Sequence, residues 1–103
     1  MKRRERNIII ETAYELTHQC LACCKLYYQA LTSRNDPQKT AYFKDRYNTT
    51  LSNWQEYQNK FNQVKFSFFS PLYHKKLWLF VKERSKQIDE YSKLINTETN
   101  HVY

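Results

Sequence analysis

The residues most capable of chemistry fall in one short run, His18-x-Cys20-x-x-Cys23-Cys24. On a helix, Cys20 and Cys24 are one turn apart with Cys23 close by, so their thiolates suit a zinc or copper ion. His18 does not extend that set, because the helix turns it about 120–160° away from Cys20 and Cys24. No second Cys-x-x-Cys completes a tetrahedral site. Cysteine otherwise behaves as a small hydrophobe, which is the reading adopted here for Cys20, Cys23 and Cys24. No metal and no cofactor are expected. An odd, clustered set of cysteines is also a poor disulfide framework and points to a reducing compartment.

Catalytic constellations are harder still to assemble. A cysteine nucleophile needs an adjacent base in an accessible, electropositive setting, and these cysteines fall on an apolar face. The histidines are His18, His74 and His101, and the last lies near the end of the chain. None follows an arginine at the spacing of HEPN-type helical ribonucleases. Glycine does not occur at all, which excludes phosphate-cradling P-loop and Rossmann turns. The chain is therefore expected to bind rather than catalyse, without a small-molecule substrate.

Two other groups of residues carry a binding reading. The formal net charge is +7, from 17 Lys and Arg against 10 Asp and Glu, and a basic excess of this kind favours acidic partners. The cations are spread along the chain, with no polybasic tail. Aromatic residues are also abundant, with 9 Tyr, 6 Phe and 2 Trp. They supply large apolar area with a polar edge, as interfaces use it.

What would position these residues is a set of long helices. Without glycine, tight hairpins and bulges are disfavoured, and 103 residues suffice for one modest core. The only prolines stand after Asn35-Asp36 and after Ser70, each where a capped helix begins. The expected fold is all-α: an antiparallel, up-down-up bundle of three long helices at about 6–32, 37–66 and 71–95, each roughly 35–45 Å long. Residues 1–103 form a single domain with a frayed tail from about 96.

The apolar spacing assigns faces. In the second helix Phe43, Tyr47, Thr50, Trp54, Tyr57, Phe61, Val64 and Phe68 follow a 4-3-4-3 seam. In the first, Ile9, Ile10, Ala13, Leu16, Thr17, Cys20, Leu21, Cys23, Cys24, Tyr27, Tyr28 and Leu31 share an arc of about 160°. So broad an arc must touch two neighbours, and this helix should be the most enclosed. The third helix carries Tyr73, Leu77, Phe80, Val81, Ile88, Tyr91 and Ile95, with Arg84 in the middle of the stripe. Arg84 reads as a snorkelling side chain paired with Glu11, Glu15 or a neighbour.

Folding such a bundle concentrates the charge. The starts of the first and third helices share a pole with the end of the second, gathering Lys2, Arg3, Arg4, Arg6, Lys60, Lys65, Lys75 and Lys76 with His74, against Glu5. The far pole, with Asp36, Asp89, Glu90 and Glu98 beside Arg34 and Lys39, is near neutral. The basic pole suits phosphates or an acidic protein. A protein contact is expected at Leu72, Trp78 and Leu79, off the main stripe of the third helix, and at Trp54 and Tyr57. The ring-rich seam of the second helix is expected to need more cover than one chain supplies, hence a dimer or a partner.

The expected function is a small non-catalytic interaction module, an adaptor, inhibitor or regulatory subunit docking through helix faces. The alternative is a nucleic-acid-binding protein that uses the basic pole, with non-specific phosphate contact, since no zinc-finger, helix-turn-helix or RNA-binding motif occurs. The Trp-x-Gly turn of small helical-hairpin secretion partners is missing as well. Ser52-Asn53-Trp54 falls inside a helix. The opening Met1-Lys2-Arg3-Arg4 is followed only by Ile8-Ile9-Ile10 before Glu11, too short for a signal peptide, so cytoplasmic residence and no membrane association are expected. Composition rich in Asn, Lys, Tyr and Ile fits a phage, mobile-element or low-GC bacterial origin.

Overall fold

The computed structural model describes residues 2–33, 36–66 and 72–100. It contains three helices, α1 (Arg3–Ser33), α2 (Pro37–Asn62) and α3 (Leu72–Asn100), and no strand among the described residues. The all-α bundle expected from the sequence is the observed fold. The molecule is a rod of 52 × 19 × 18 Å.

α1 is the central element. Both α2 and α3 pack along it, whereas no Cα of α2 comes within 8 Å of one in α3. Closely packed helix axes lie about 8–10 Å apart, so the α2–α3 side is held more loosely than the two sides made with α1. The wide apolar arc explains this arrangement. Ile10, Ala13, Thr17, Cys20, Leu21, Cys24 and Tyr27 are buried, and Ile9, Leu16, Cys23, Tyr28 and Leu31 pack half-buried at the edges of the same core. Thr17 enters without an unsatisfied hydroxyl because its Oγ1 donates to the Ala13 carbonyl at 2.7 Å.

The second helix begins where its cap dictates. Asp36 accepts from the Gln38 and Lys39 amides at 2.9 and 3.3 Å, with Pro37 at the first helical position. Its end falls short of the expected residue 66. The Gln63 amide donates to the Lys60 carbonyl and the Val64 amide to Phe61, at 3.2 and 3.1 Å. These tight i→i+3 turns close a helix that has no glycine for a left-handed cap. The apolar rhythm runs past the helix because Val64 is buried and the Phe66 ring packs on Trp78 from non-helical chain. Rhythm alone does not register that change.

The seam of α2 is covered within the chain. Tyr47, Thr50, Trp54, Phe61 and Val64 are buried, Trp54 with only 2% of its surface exposed, and Phe43 and Tyr57 are half-buried. The expectation that this seam demands outside cover is thus corrected: the rings fill the trough that α1 opens. Phe68 lies outside the described residues, as do Arg34, Asn35, Ser70, Pro71 and His101. α3 continues to Asn100, beyond the fraying expected from about 96. Buried Ile95 anchors its last turns, and Thr97 and Thr99 return their hydroxyls to the Lys93 and Ile95 carbonyls.

Within the core, Tyr27 of α1 and Tyr47 of α2 stack with centroids 5.3 Å apart. The Tyr47 hydroxyl donates across the loose side to Ser92 Oγ of α3 at 3.1 Å. Burial raises the hydroxyl pKa of both rings above the ordinary value of 10.0, the Ser92 contact partly offsetting this at Tyr47.

Two outcomes follow. Trp54→Ala should cost about 3–5 kcal/mol in denaturant unfolding, whereas Tyr42→Ala, at an exposed site, should change stability by less than about 0.5 kcal/mol. Because folding raises the tyrosine pKa values, the neutral hydroxyls contribute stability that is complete below pH 10 and is lost as pH rises through the raised folded values. The melting temperature should therefore fall above about pH 10, and Tyr47→Phe should flatten that fall.

Candidate interaction surfaces

The antiparallel packing brings the start of α1, the end of α2 and the start of α3 to one pole. The Arg6 guanidinium sits 4.7 Å from the centroid of the Phe66 ring. Phe66 packs edge-on against Trp78 at 5.4 Å, and the Lys82 ammonium lies over the Trp78 ring at 4.2 Å. Glu11 of α1 meets His74 of α3 at 3.3 Å. Around this framework Lys2, Arg3, Arg4, Lys60, Lys65, Lys75 and Lys76 are exposed. Arg6 differs from them in being half-buried against Phe66, which makes it part of the packing at this end.

The expected protein-contact residues separate into two groups. Leu72 and Leu79 are 64% and 53% exposed and lie two turns apart on the outer side of α3. Trp54 is corrected: it belongs to the core, packed on Phe61 at 5.7 Å, and offers no surface to a partner. Trp78 is half-buried against Phe66 and Lys82. Tyr57 is half-buried too, with Lys60 Nζ 5.6 Å from its ring. The sequence stripe of α3 also placed Tyr73 and Phe80 inside, yet they are 66% and 49% exposed. The buried line is Val81, Arg84, Ile88 and Ile95. A seven-residue step drifts by about 20° on a straight helix, and Tyr73 and Phe80 fall on the flank of that line, next to Leu72 and Leu79. The outer N-terminal half of α3 therefore carries four large apolar residues in two rows.

Arg84 is buried, as its place in the stripe requires, with 9% of its surface exposed. Its partners are not the expected carboxylates. Nη1 donates to the Tyr14 carbonyl at 2.8 Å, and Nη2 reaches His18 Nδ1 at 3.5 Å. An arginine can only donate, so in this contact the imidazole accepts at Nδ1. The guanidinium packs against two neighbouring rings, 4.2 Å from Tyr14 and 4.4 Å from Phe80, whose centroids are 5.8 Å apart. Glu11, the nearest expected partner in sequence logic, is engaged by His74 instead. The His18–Arg84 contact escaped the sequence reading. The available signal was that His18 stands one turn after Tyr14 on the flank that faces α3.

The cysteines are distributed as core residues. Cys20 and Cys24 are buried and Cys23 is half-buried, all with free thiols. A hydrogen bond from the Cys24 thiol lowers the Cys20 pKa, while that bond and burial push Cys24 up and hold it protonated. Among the described residues, no three His, Cys, Asp or Glu side chains are grouped to hold a metal ion. None of the helices is long and apolar enough to cross a membrane.

Comparison with family models, with curated proteins and with solved structures gives no match to this chain.

The surroundings of Arg84 predict an unusual mutational response. A buried charge without a carboxylate keeps much of its desolvation cost, and a hydrophobe of similar length removes that cost while preserving the packed stem. Arg84→Met should unfold within about 1 kcal/mol of the parent or above it. Arg84→Ala, which also deletes the stem beside Tyr14 and Phe80, should cost about 2–3 kcal/mol. Denaturant titration followed by circular dichroism separates the two outcomes.

Proposed function

We propose that this chain is a non-catalytic interaction module that docks an acidic protein segment on the outer, N-terminal half of α3. The observation that carries the reading is the exposure of Leu72, Tyr73, Leu79 and Phe80 together on one side of a helix. Large apolar residues clustered on a surface favour protein contact, whereas scattered ones are normal. Exposed Lys75, Lys82 and Lys86 flank the Leu72 and Leu79 row, and exposed Lys76 lies between the two rows. Charge complementarity selects a partner whose own apolar stripe is bordered by Asp and Glu, and this steers association as well as orientation. The absence of glycine supports the same reading, because the module presents rigid helix faces rather than a pliable loop.

A second reading, phosphate contact by a nucleic acid, has support in the exposed Lys2, Arg3, Arg4, Lys65, Lys75 and Lys76 at the basic pole. It accounts for those cations but leaves the apolar rows without a role.

A photo-crosslinking side chain at position 79, expressed in the source cell, should join the protein to one acidic partner. The same group at exposed Asn48 should not. Leu79→Glu should weaken binding to the purified partner at least about tenfold, with helicity unchanged. Crosslinks that are identical from both positions, or that persist with Leu79→Glu, count against the docking face. A crosslink only to a second copy of the chain replaces the acidic partner with a homodimer. Binding to duplex DNA or RNA that survives Leu79→Glu and falls steeply with salt transfers the function to the basic pole.

A further inference from the structure

We infer that the groove between α1 and α3 around Arg84 is a binding site for a monocarboxylate that carries a short apolar or aromatic body. This site borders the proposed docking face and shares Phe80 with it, but its argument does not rest on that reading. The groove has a volume of about 360 Å³ and is lined by His18, Leu21, Ala22 and Lys25 of α1 and by Phe80, Glu83, Arg84 and Gln87 of α3. That volume lies at the lower end of the range for small-ligand pockets.

Arg84 is the reason to expect an anion. The residue is nine-tenths buried, and among the described residues its polar partners are a backbone carbonyl and an imidazole nitrogen, with no carboxylate. A guanidinium carries five N–H donors, these two contacts use two of them, and Arg84 lines the groove. The rings of Tyr14 and Phe80 pack against it at 4.2 and 4.4 Å, and its contacts to the Tyr14 carbonyl and His18 hold it as well. The fork is thus fixed in orientation before any ligand arrives, and little conformational entropy is lost on binding. A planar carboxylate matches such a fork with two parallel hydrogen bonds.

The remaining lining selects among anions. Lys25 adds a second cation, and Glu83 on the opposite wall removes one, so the groove favours a single negative charge over a phosphate dianion. Leu21, Ala22 and the exposed part of Phe80 give an apolar floor beside the charge. Two sources share this chemistry, a free organic acid and the C-terminal carboxylate of a peptide that ends in an apolar residue.

Phenylacetate titrated into the full-length protein, followed by the amide and aromatic signals of His18, Phe80 and Arg84 in NMR spectra, tests the site. Saturable shifts with millimolar affinity are expected, absent with neutral phenylacetamide and weaker with inorganic phosphate. Arg84→Met, checked for helicity, should lose at least about tenfold in affinity. The exposed Lys25→Glu variant, which leaves the core untouched, should also weaken binding. Equal shifts from phenylacetamide, unchanged affinity in both variants, or no saturation by about 30 mM overturn the proposal. A dipeptide ending in phenylalanine that binds more tightly than phenylacetate, and loses this when amidated, assigns the ligand to a chain end. The reverse order assigns it to a free acid. Both orders uphold the carboxylate site.

Discussion

The structure depends on one constraint, the breadth of the apolar arc of α1. A helix that is apolar on a single stripe needs one neighbour, whereas this one must be covered from two sides. α2 and α3 therefore both lie against α1 rather than forming three equal pairs. Each contributes a different filling. α2 brings rings, with Tyr47, Trp54 and Phe61 in the core, and α3 brings the aliphatic Val81, Ile88 and Ile95. Small residues of α1 at the centre, Ala13, Thr17, Cys20 and Cys24, make room for those rings. The cysteines thereby have a packing role that their reactivity does not require.

The same constraint leaves α3 partly uncovered. Its commitment to α1 is made by a narrow line of side chains, and α2 stands too far away to shield its outer side. Two rows of apolar residues, Leu72 with Leu79 and Tyr73 with Phe80, remain in solvent. Phe80 illustrates how finely this is divided. One face of its ring covers the Arg84 guanidinium and packs near Tyr14 at 5.8 Å, while about half of the residue is exposed. The exposed face of α3 and the buried cation beneath it are therefore mechanically linked through a single ring.

Arg84 shows how a charge is tolerated in a small core. Full burial of an ion without compensation is too costly to persist. Here the compensation is divided among a helix carbonyl, an imidazole and two aromatic faces, the last contributing through the ring quadrupoles. None of these cancels the charge. The residue is well held yet electrically unneutralised, a condition that packing stability alone does not favour.

Much of this molecule was legible in the chain itself. The absence of glycine, two prolines behind capping residues and the apolar spacing determined three helices, their order and the double-sided role of α1. These features are local or periodic, and helices are built from local hydrogen bonds. Other features were decided only by tertiary packing. Trp54 reads as a candidate contact and is core, and Tyr73 and Phe80 read as core and are exposed. An apolar residue carries no label for which neighbour covers it, and that depends on how far α2 and α3 stand apart. Likewise, a stripe position announced that Arg84 is buried, but its partners on α1 lie 70 and 66 residues away in sequence. That pairing arises from the alignment of two helices, which no spacing within either one records.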